Sequence, residues 1–285
     1  MADQRLRGLF DDTDIRLVLV QLEESSRDAL APHPHPPATR QLLGQFMAAV
    51  AAMAATLKLE GSLMLQAQGE GPLKLAMAEC TSAGAVRAIA HGSEPQGVDD
   101  LLQLVLPGHL ALTIEPTGGQ RYQGIVPLDG PDLARCLEHY FHQSEQLATA
   151  IHLASDGQRA SALLLQELPA SGRDLEQRRA QWQHLSTLAA TVTPAELLEL
   201  PAETLLHRLF HQEALRLLGT DPLHFACSCS QARTEAMLRS LGRDEVFGTL
   251  AEQGQLTVRC EFCNQIRTFN AEDIAQLFPG PTGTH

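Results

Sequence analysis

Aromatic residues are scarce. Phe, Trp and Tyr together make up 4% of the 285 residues, with a single Trp and two Tyr. A core must therefore be built from Leu, Ala and Val. Positive charge is also in deficit: 21 Lys and Arg stand against 34 Asp and Glu, a formal net charge of −13. That balance argues against broad binding to nucleic acid or to an anionic membrane, both of which need a net positive face. It leaves room for a small basic patch. Long apolar runs are missing too. The most membrane-like stretch, Leu42 to Leu57, contains Gln45, is flanked by Arg40 and Lys58, and reads as a buried helix. The opening Met1-Ala2-Asp3-Gln4-Arg5 leads into no apolar core with a small-residue cleavage site, so no secretory signal is expected. The expected location is the cytoplasm, where thiols are mostly reduced. There is no P-loop, no G-x-S-x-G and no H-E-x-x-H. Gly69-Glu70-Gly71 lacks the rest of a phosphate cradle and reads as a turn. The sequence thus points away from an enzyme.

A hydrophobic fraction of 44% is enough for a packed core and excludes a disordered chain. The length suits two domains, or one with an appendage. Ile15 to Leu22 is a β-rich run, and Thr39 is the expected N-cap of the apolar helix ending near Leu57. Three hairpins are expected, around Gly69-Glu70-Gly71-Pro72, Pro116-Thr117-Gly118-Gly119 and Asp156-Gly157. A further strand fits Ala85 to Ala90, and Pro131 is expected to open an amphipathic helix carrying Leu133, Cys136, Leu137, Tyr140 and Phe141. Antiparallel pairs with helices between them predict an α+β domain over residues 1–172.

After Ser171-Gly172 the pattern turns helical, with a stripe of Leu175, Trp182, Leu185 and Ala189 and a capping box at Thr193-Pro194-Ala195-Glu196. Pro201 is expected to open another helix with Leu205, Leu209 and Phe210. Residues 173–223 read as a helical linker. In residues 224–285, Ser230 caps a helix ended by Gly242, and a second helix fits Asp244 to Gln253, ended by Gly254. Two short strands, Leu256 to Arg259 and Ile266 to Phe269, flank Cys260-Glu261-Phe262-Cys263. Asn270 with Asp273 begins a last helix before Pro279.

Of six cysteines, four cluster near the C-terminus as Cys227-Ser228-Cys229 and Cys260-Glu261-Phe262-Cys263. In a reducing compartment such a set indicates metal or redox chemistry more than structural disulfides. A C-x-x-C at a hairpin turn presents two sulfurs on one side, as do cysteines at i and i+2 in an extended chain. Two such pairs make a tetrahedral S₄ shell, for which Zn²⁺ is the best match. With no open position, that shell argues against a hydrolytic metal. His207, His211 and His224 are alternative ligands that read better as surface or helix-face histidines. The site is either purely structural or a redox switch. Two points favour the switch: a segment of about sixty residues commonly depends on a metal for stability, and a Cys-x-Cys disulfide closes a small ring that is easily reduced. Cys80 and Cys136 read as inert core positions. A zinc-ribbon nucleic-acid module, with Arg259 and Arg267 flanking the knuckle, is one alternative. A thiol oxidoreductase is another, although its C-x-x-C normally opens a helix.

Cys227-Ser228-Cys229-Ser230 and Cys260-Glu261-Phe262-Cys263-Asn264, at this spacing, resemble the redox switch of the heat shock protein 33 family, also called 33 kDa chaperonins. Ala55-Thr56-Leu57-Lys58, Gln68-Gly69-Glu70-Gly71-Pro72-Leu73 and Tyr122-Gln123-Gly124-Ile125-Val126 extend the resemblance over nearly the whole chain. It implies an ATP-independent holdase with three parts: an antiparallel-sheet core domain with packed helices, a helical linker, and a small zinc-binding redox-switch domain. It implies one Zn²⁺ per reduced chain on Cys227, Cys229, Cys260 and Cys263. Oxidation would give the disulfides Cys227–Cys229 and Cys260–Cys263 and release the metal. The zinc domain and linker would then unfold, and an oxidised, active homodimer would bind unfolding client proteins. No nucleic-acid or membrane partner is implied.

Overall fold

A computed structural model describes residues 3–57, 60–93, 101–169 and 174–278. Lys58, the Ser171-Gly172 boundary and Pro279 lie outside the described residues. The chain divides after Ala226 into two compact units.

In the first unit the order is β1 (Gln4–Phe10), β2 (Ile15–Leu22), α1 (Glu24–Leu30), α2 (Pro37–Ala54), β3 (Gly61–Gly69), β4 (Leu73–Thr81), β5 (Ala85–Gly92), β6 (Gly108–Pro116), β7 (Tyr122–Pro127), α3 (Leu133–Tyr140), β8 (Thr149–Ser155) and β9 (Ala160–Glu167). There follow α4 (Leu175–Ala189), α5 (Pro194–Glu199), α6 (Ala202–Phe210), β10 (Leu215–Pro222) and β11 (His224–Phe225). The strands form a five-stranded sheet, β10-β1-β2-β9-β8, and a six-stranded sheet, β11-β5-β4-β3-β6-β7. Every pairing is antiparallel except the short β11–β5 contact. The α+β class is as the sequence predicts.

Helix α2 is apolar on nearly every face because it packs against both sheets, touching β2, β8 and β9 on one side and β3, β4 and β5 on the other. Its alanines and Gly44 let the strands come close: a Cβ on Gly44 would lie 2.2 Å from Ser155 Oγ. The opposite face of the five-stranded sheet carries Leu6, Phe10, Ile15, Leu17, Leu19, Leu163 and Leu165, and helices α4 to α6 cover it with Leu185, Ala189, Leu197, Leu205, Leu209 and Phe210. Alternation along β2 divides its side chains between these two cores.

Three local expectations are corrected. Helix α2 starts at Pro37, with Pro36 at the N-cap position, and Thr39 is buried inside the first turn; a proline at the first helical position fixes the start earlier. Helix α3 is opened by Asp132, whose side chain accepts from the Arg135 amide at 2.8 Å, and not by Pro131. Residues 173–223 are not wholly helical. Leu215–Pro222 is a strand on β1, with Leu6 opposite Thr220 and Phe10 opposite Leu215. The Thr193–Glu196 capping box forms as expected.

The second unit holds α7 (Gln231–Leu241), α8 (Arg243–Gln253), β12 (Leu256–Arg259), β13 (Ile266–Phe269) and α9 (Ala271–Leu277). Ser230 caps α7 through the Arg233 amide, Gly254 ends α8 with a left-handed φ of 76°, and Asn270 and Asp273 form a capping box. Its core is thin: Leu238, Val246, Leu250, Leu256, Phe269, Ile274 and Leu277. No helix among the described residues is long and apolar enough to cross a membrane.

Candidate metal centre

The β12–β13 hairpin pairs Leu256 with Phe269 and Arg259 with Ile266, which places Cys260 and Cys263 in its turn. The turn closes through the Cys260 amide on the Gln265 carbonyl at 2.9 Å and the Asn264 amide on the Cys260 carbonyl at 2.8 Å. Asn264 takes a left-handed φ of 60°, a conformation that Asn tolerates better than most residues. Cys227 and Cys229 lie on the irregular segment just before the Ser230 cap, so the helix start fixes where that segment ends.

These two segments bring the four predicted cysteines together. Their sulfurs all lie within 4.8 Å of one another, and all four residues are half-buried. Two contacts run between the segments: Cys227 to Cys260 at 3.5 Å and Cys229 to Cys263 at 3.4 Å. Tetrahedral zinc with Zn–S bonds of about 2.3 Å places its sulfurs about 3.8 Å apart. The cluster therefore has the donor type, number and spacing to hold such an ion. No histidine joins it among the described residues. His207, His211 and His224 are exposed, and His207 stacks on His211 at 5.6 Å.

The thiols are not equivalent. Burial opposes ionisation of Cys260, but the backbone amides of Cys263 and Phe262 and the thiols of Cys227 and Cys263 stabilise its thiolate and bring its pKa down to about 7. Burial, reinforced by the neighbouring sulfurs, pushes Cys263 up to about 12, and burial also raises Cys227.

Arg267 is a member of the site that spacing did not reveal. Both of its terminal nitrogens donate to Cys229 Sγ at 3.6 Å, and Nη2 also donates to Gln265 Oε1 at 3.0 Å. Arg259 donates to Asn264 Oδ1 at 3.1 Å. The two arginines behind the nucleic-acid alternative are thus engaged within the knuckle. The C-x-x-C joins two strands and does not open a helix, unlike a thioredoxin-type dithiol. Cys80 and Cys136 are buried in the first unit, and burial raises both thiols, Cys80 to about 12.

The chain is similar to known proteins over nearly its whole length. The sequence model of a family described as Hsp33 protein matches residues 3–270. The 33 kDa chaperonin of Ectopseudomonas mendocina (strain ymp) is 52% identical over 284 residues, covering 98% of this chain and 96% of that protein. That of Azotobacter vinelandii is 51% identical over 278 residues, covering 96% and 94%. The crystal structure of the 33 kDa chaperonin of Thermotoga maritima superposes with a TM-score of 0.85 at 19% identity, covering 97% of this chain and 98% of that one.

Proposed function

The chain belongs to the Hsp33 family, and on that premise we propose that it is a redox-regulated, ATP-independent holdase for unfolding proteins. The observation that carries this reading is the gathering of four sulfurs within 4.8 Å in a unit whose own core is thin. Cys227, Cys229, Cys260 and Cys263 are the ligands of one Zn²⁺ per reduced chain. Those residues would hold the ion, and with it bound the segment before α7 would be tied to the β12–β13 hairpin and the sulfurs kept as thiolates. Structural zinc contributes about 10–16 kcal/mol in small peptides, which is the scale of a whole domain's stability.

Oxidation removes the donors. Each pair of thiolates gives two electrons to a peroxide: one S–S bond forms, the O–O bond breaks, and two protons from solvent complete the reduced oxygens as water. The proposed pairs are Cys227–Cys229 and Cys260–Cys263. In the folded cluster Cys227 touches Cys260 and Cys229 touches Cys263 across the segments, so local pairing breaks both contacts and lets the two segments part. The effect then travels along the chain. Cys227 lies two residues beyond Phe225 of β11, and β10 comes just before. Residues 173–223 serve as the linker. Once α4–α6 and β10 leave the five-stranded sheet, the face bearing Leu6, Phe10, Leu17 and Leu163 and the helices' own leucines become free for clients. An oxidised homodimer and a reducing cytoplasm as the resting compartment belong to the same reading.

The test is suppression of aggregation of a thermally unfolding client, with no nucleotide present, by the reduced and by the peroxide-treated protein. Suppression that rises after oxidation supports the proposal. Equal suppression in both states, or a need for ATP, contradicts it. Tryptic digestion of the oxidised protein checks the pairing. Arg233 and Arg259 separate the pairs, so local disulfides leave two independent peptides, whereas crossed ones link them.

A further inference from the structure

The first unit contains a cavity of about 630 Å³ that the switch does not use. That volume falls in the range of small-molecule sites. Its apolar wall is formed by Leu57, Leu63, Leu112, Ile114, Phe141 and Leu147, and Arg16 also lines it. Arg16 sits on β2 opposite Gln166 of β9. Its Nε donates to Gln166 Oε1 at 3.1 Å, its Nη2 donates to the same oxygen, and its Nη1 donates to the Thr56 carbonyl at 3.0 Å. Gln166 is fully buried and donates in turn to Thr149 Oγ1 at 2.8 Å. The guanidinium is thus held in place by a relay of neutral groups.

Among the described residues no carboxylate answers it. Arg5, Arg87 and Arg178, whose side chains are largely buried, pair with Asp221, Glu79 and Asp14, but the half-buried Arg16 has no acidic partner among the described residues. The C-terminus of α2, just before Thr56, offers only a partial negative charge. A guanidinium has five N–H groups, and three are used here. Those left include one on each terminal nitrogen, the fork that takes a carboxylate in two parallel bonds. A cationic fork with no counter-charge among the described residues, lining a cavity with an apolar wall, complements a molecule with an anionic head and an apolar body. We propose that this cavity binds a small amphipathic carboxylate, its head on Arg16 and its hydrocarbon body between Leu57, Leu112 and Ile114. The one acidic group lining the cavity, Glu145, is exposed and accepts from the Tyr140 hydroxyl at 3.4 Å. It would favour a cationic head instead, which makes head-group charge the deciding variable.

The experiment titrates the reduced, zinc-loaded full chain by calorimetry with octanoate, octan-1-ol and octylammonium. The expected result is saturable one-to-one binding of octanoate, with octanol about tenfold weaker for want of a charge-assisted pair and octylammonium weaker still. Arg16→Gln should reduce octanoate to the level of octanol while zinc content stays the same. Ile114→Trp, which adds bulk to the apolar wall, should also weaken octanoate and serves if Arg16→Gln does not fold. Octanoate binding no tighter than octanol, a preference for octylammonium, or unchanged affinity in either folded variant overturns the proposal.

Discussion

The guanidinium of Arg267 donates through both terminal nitrogens to the sulfur of Cys229, each at 3.6 Å, while Gln265 braces it from the side. Four thiolates around a divalent zinc carry a net charge of −2, and a fixed cation on one sulfur offsets part of it. Groups that hold a ligand from outside the coordination sphere typically contribute about 10–100-fold to metal affinity. Arg267→Ala should therefore weaken zinc binding about tenfold or more in competition with a chromogenic chelator, with the four cysteines intact. An unchanged affinity would mean that Arg267 is only a surface contact of the hairpin.

Cys80 and Cys136 should play no part in switching. Burial keeps both as thiols, with Cys80 held at about 12, and a thiol in that state is neither a good nucleophile nor a ligand. Cys80→Ala and Cys136→Ala should each cost about 1 kcal/mol through the small void left behind, read by denaturant unfolding. Activation by peroxide should be retained. Loss of activation in either variant would place a third redox group in the first unit.

Much of this architecture is legible in the residues, and its gaps have physical causes. The three hairpins, β2, and both strands of the knuckle follow from alternation and turn chemistry, which are local. The four sulfurs follow from spacing alone. Strand β10 does not, because Leu217 and Leu218 are exposed and the segment is a strand only by virtue of its pairing with β1. Arg267 reads as a basic patch in sequence, because only the hairpin register turns it onto Cys229. Arg16 looks like any strand arginine until the fold places Gln166 and Thr56, from distant parts of the chain, on two sides of it.

Trp182, on α4, reports whether the linker moves. It is half-buried and packs on the cluster that holds Leu6, Phe10 and Leu17. No tryptophan lies in residues 227–285. Release of zinc with disulfide formation should shift its emission to the red without denaturant, as the indole passes into water. An unchanged spectrum would confine the transition to the second unit.

The central claim is that loss of metal and gain of client binding are one event. Its most direct test follows both in a single time course, with peroxide added to the reduced protein at raised temperature. Zinc release is read by a chromogenic chelator, and suppression of client aggregation is measured on aliquots from the same reaction. The account predicts one zinc released per chain, with holdase activity rising in step or after it and reversing once reductant and zinc are restored. Full activity while zinc is still bound, or complete zinc release with no gain in activity, would contradict it.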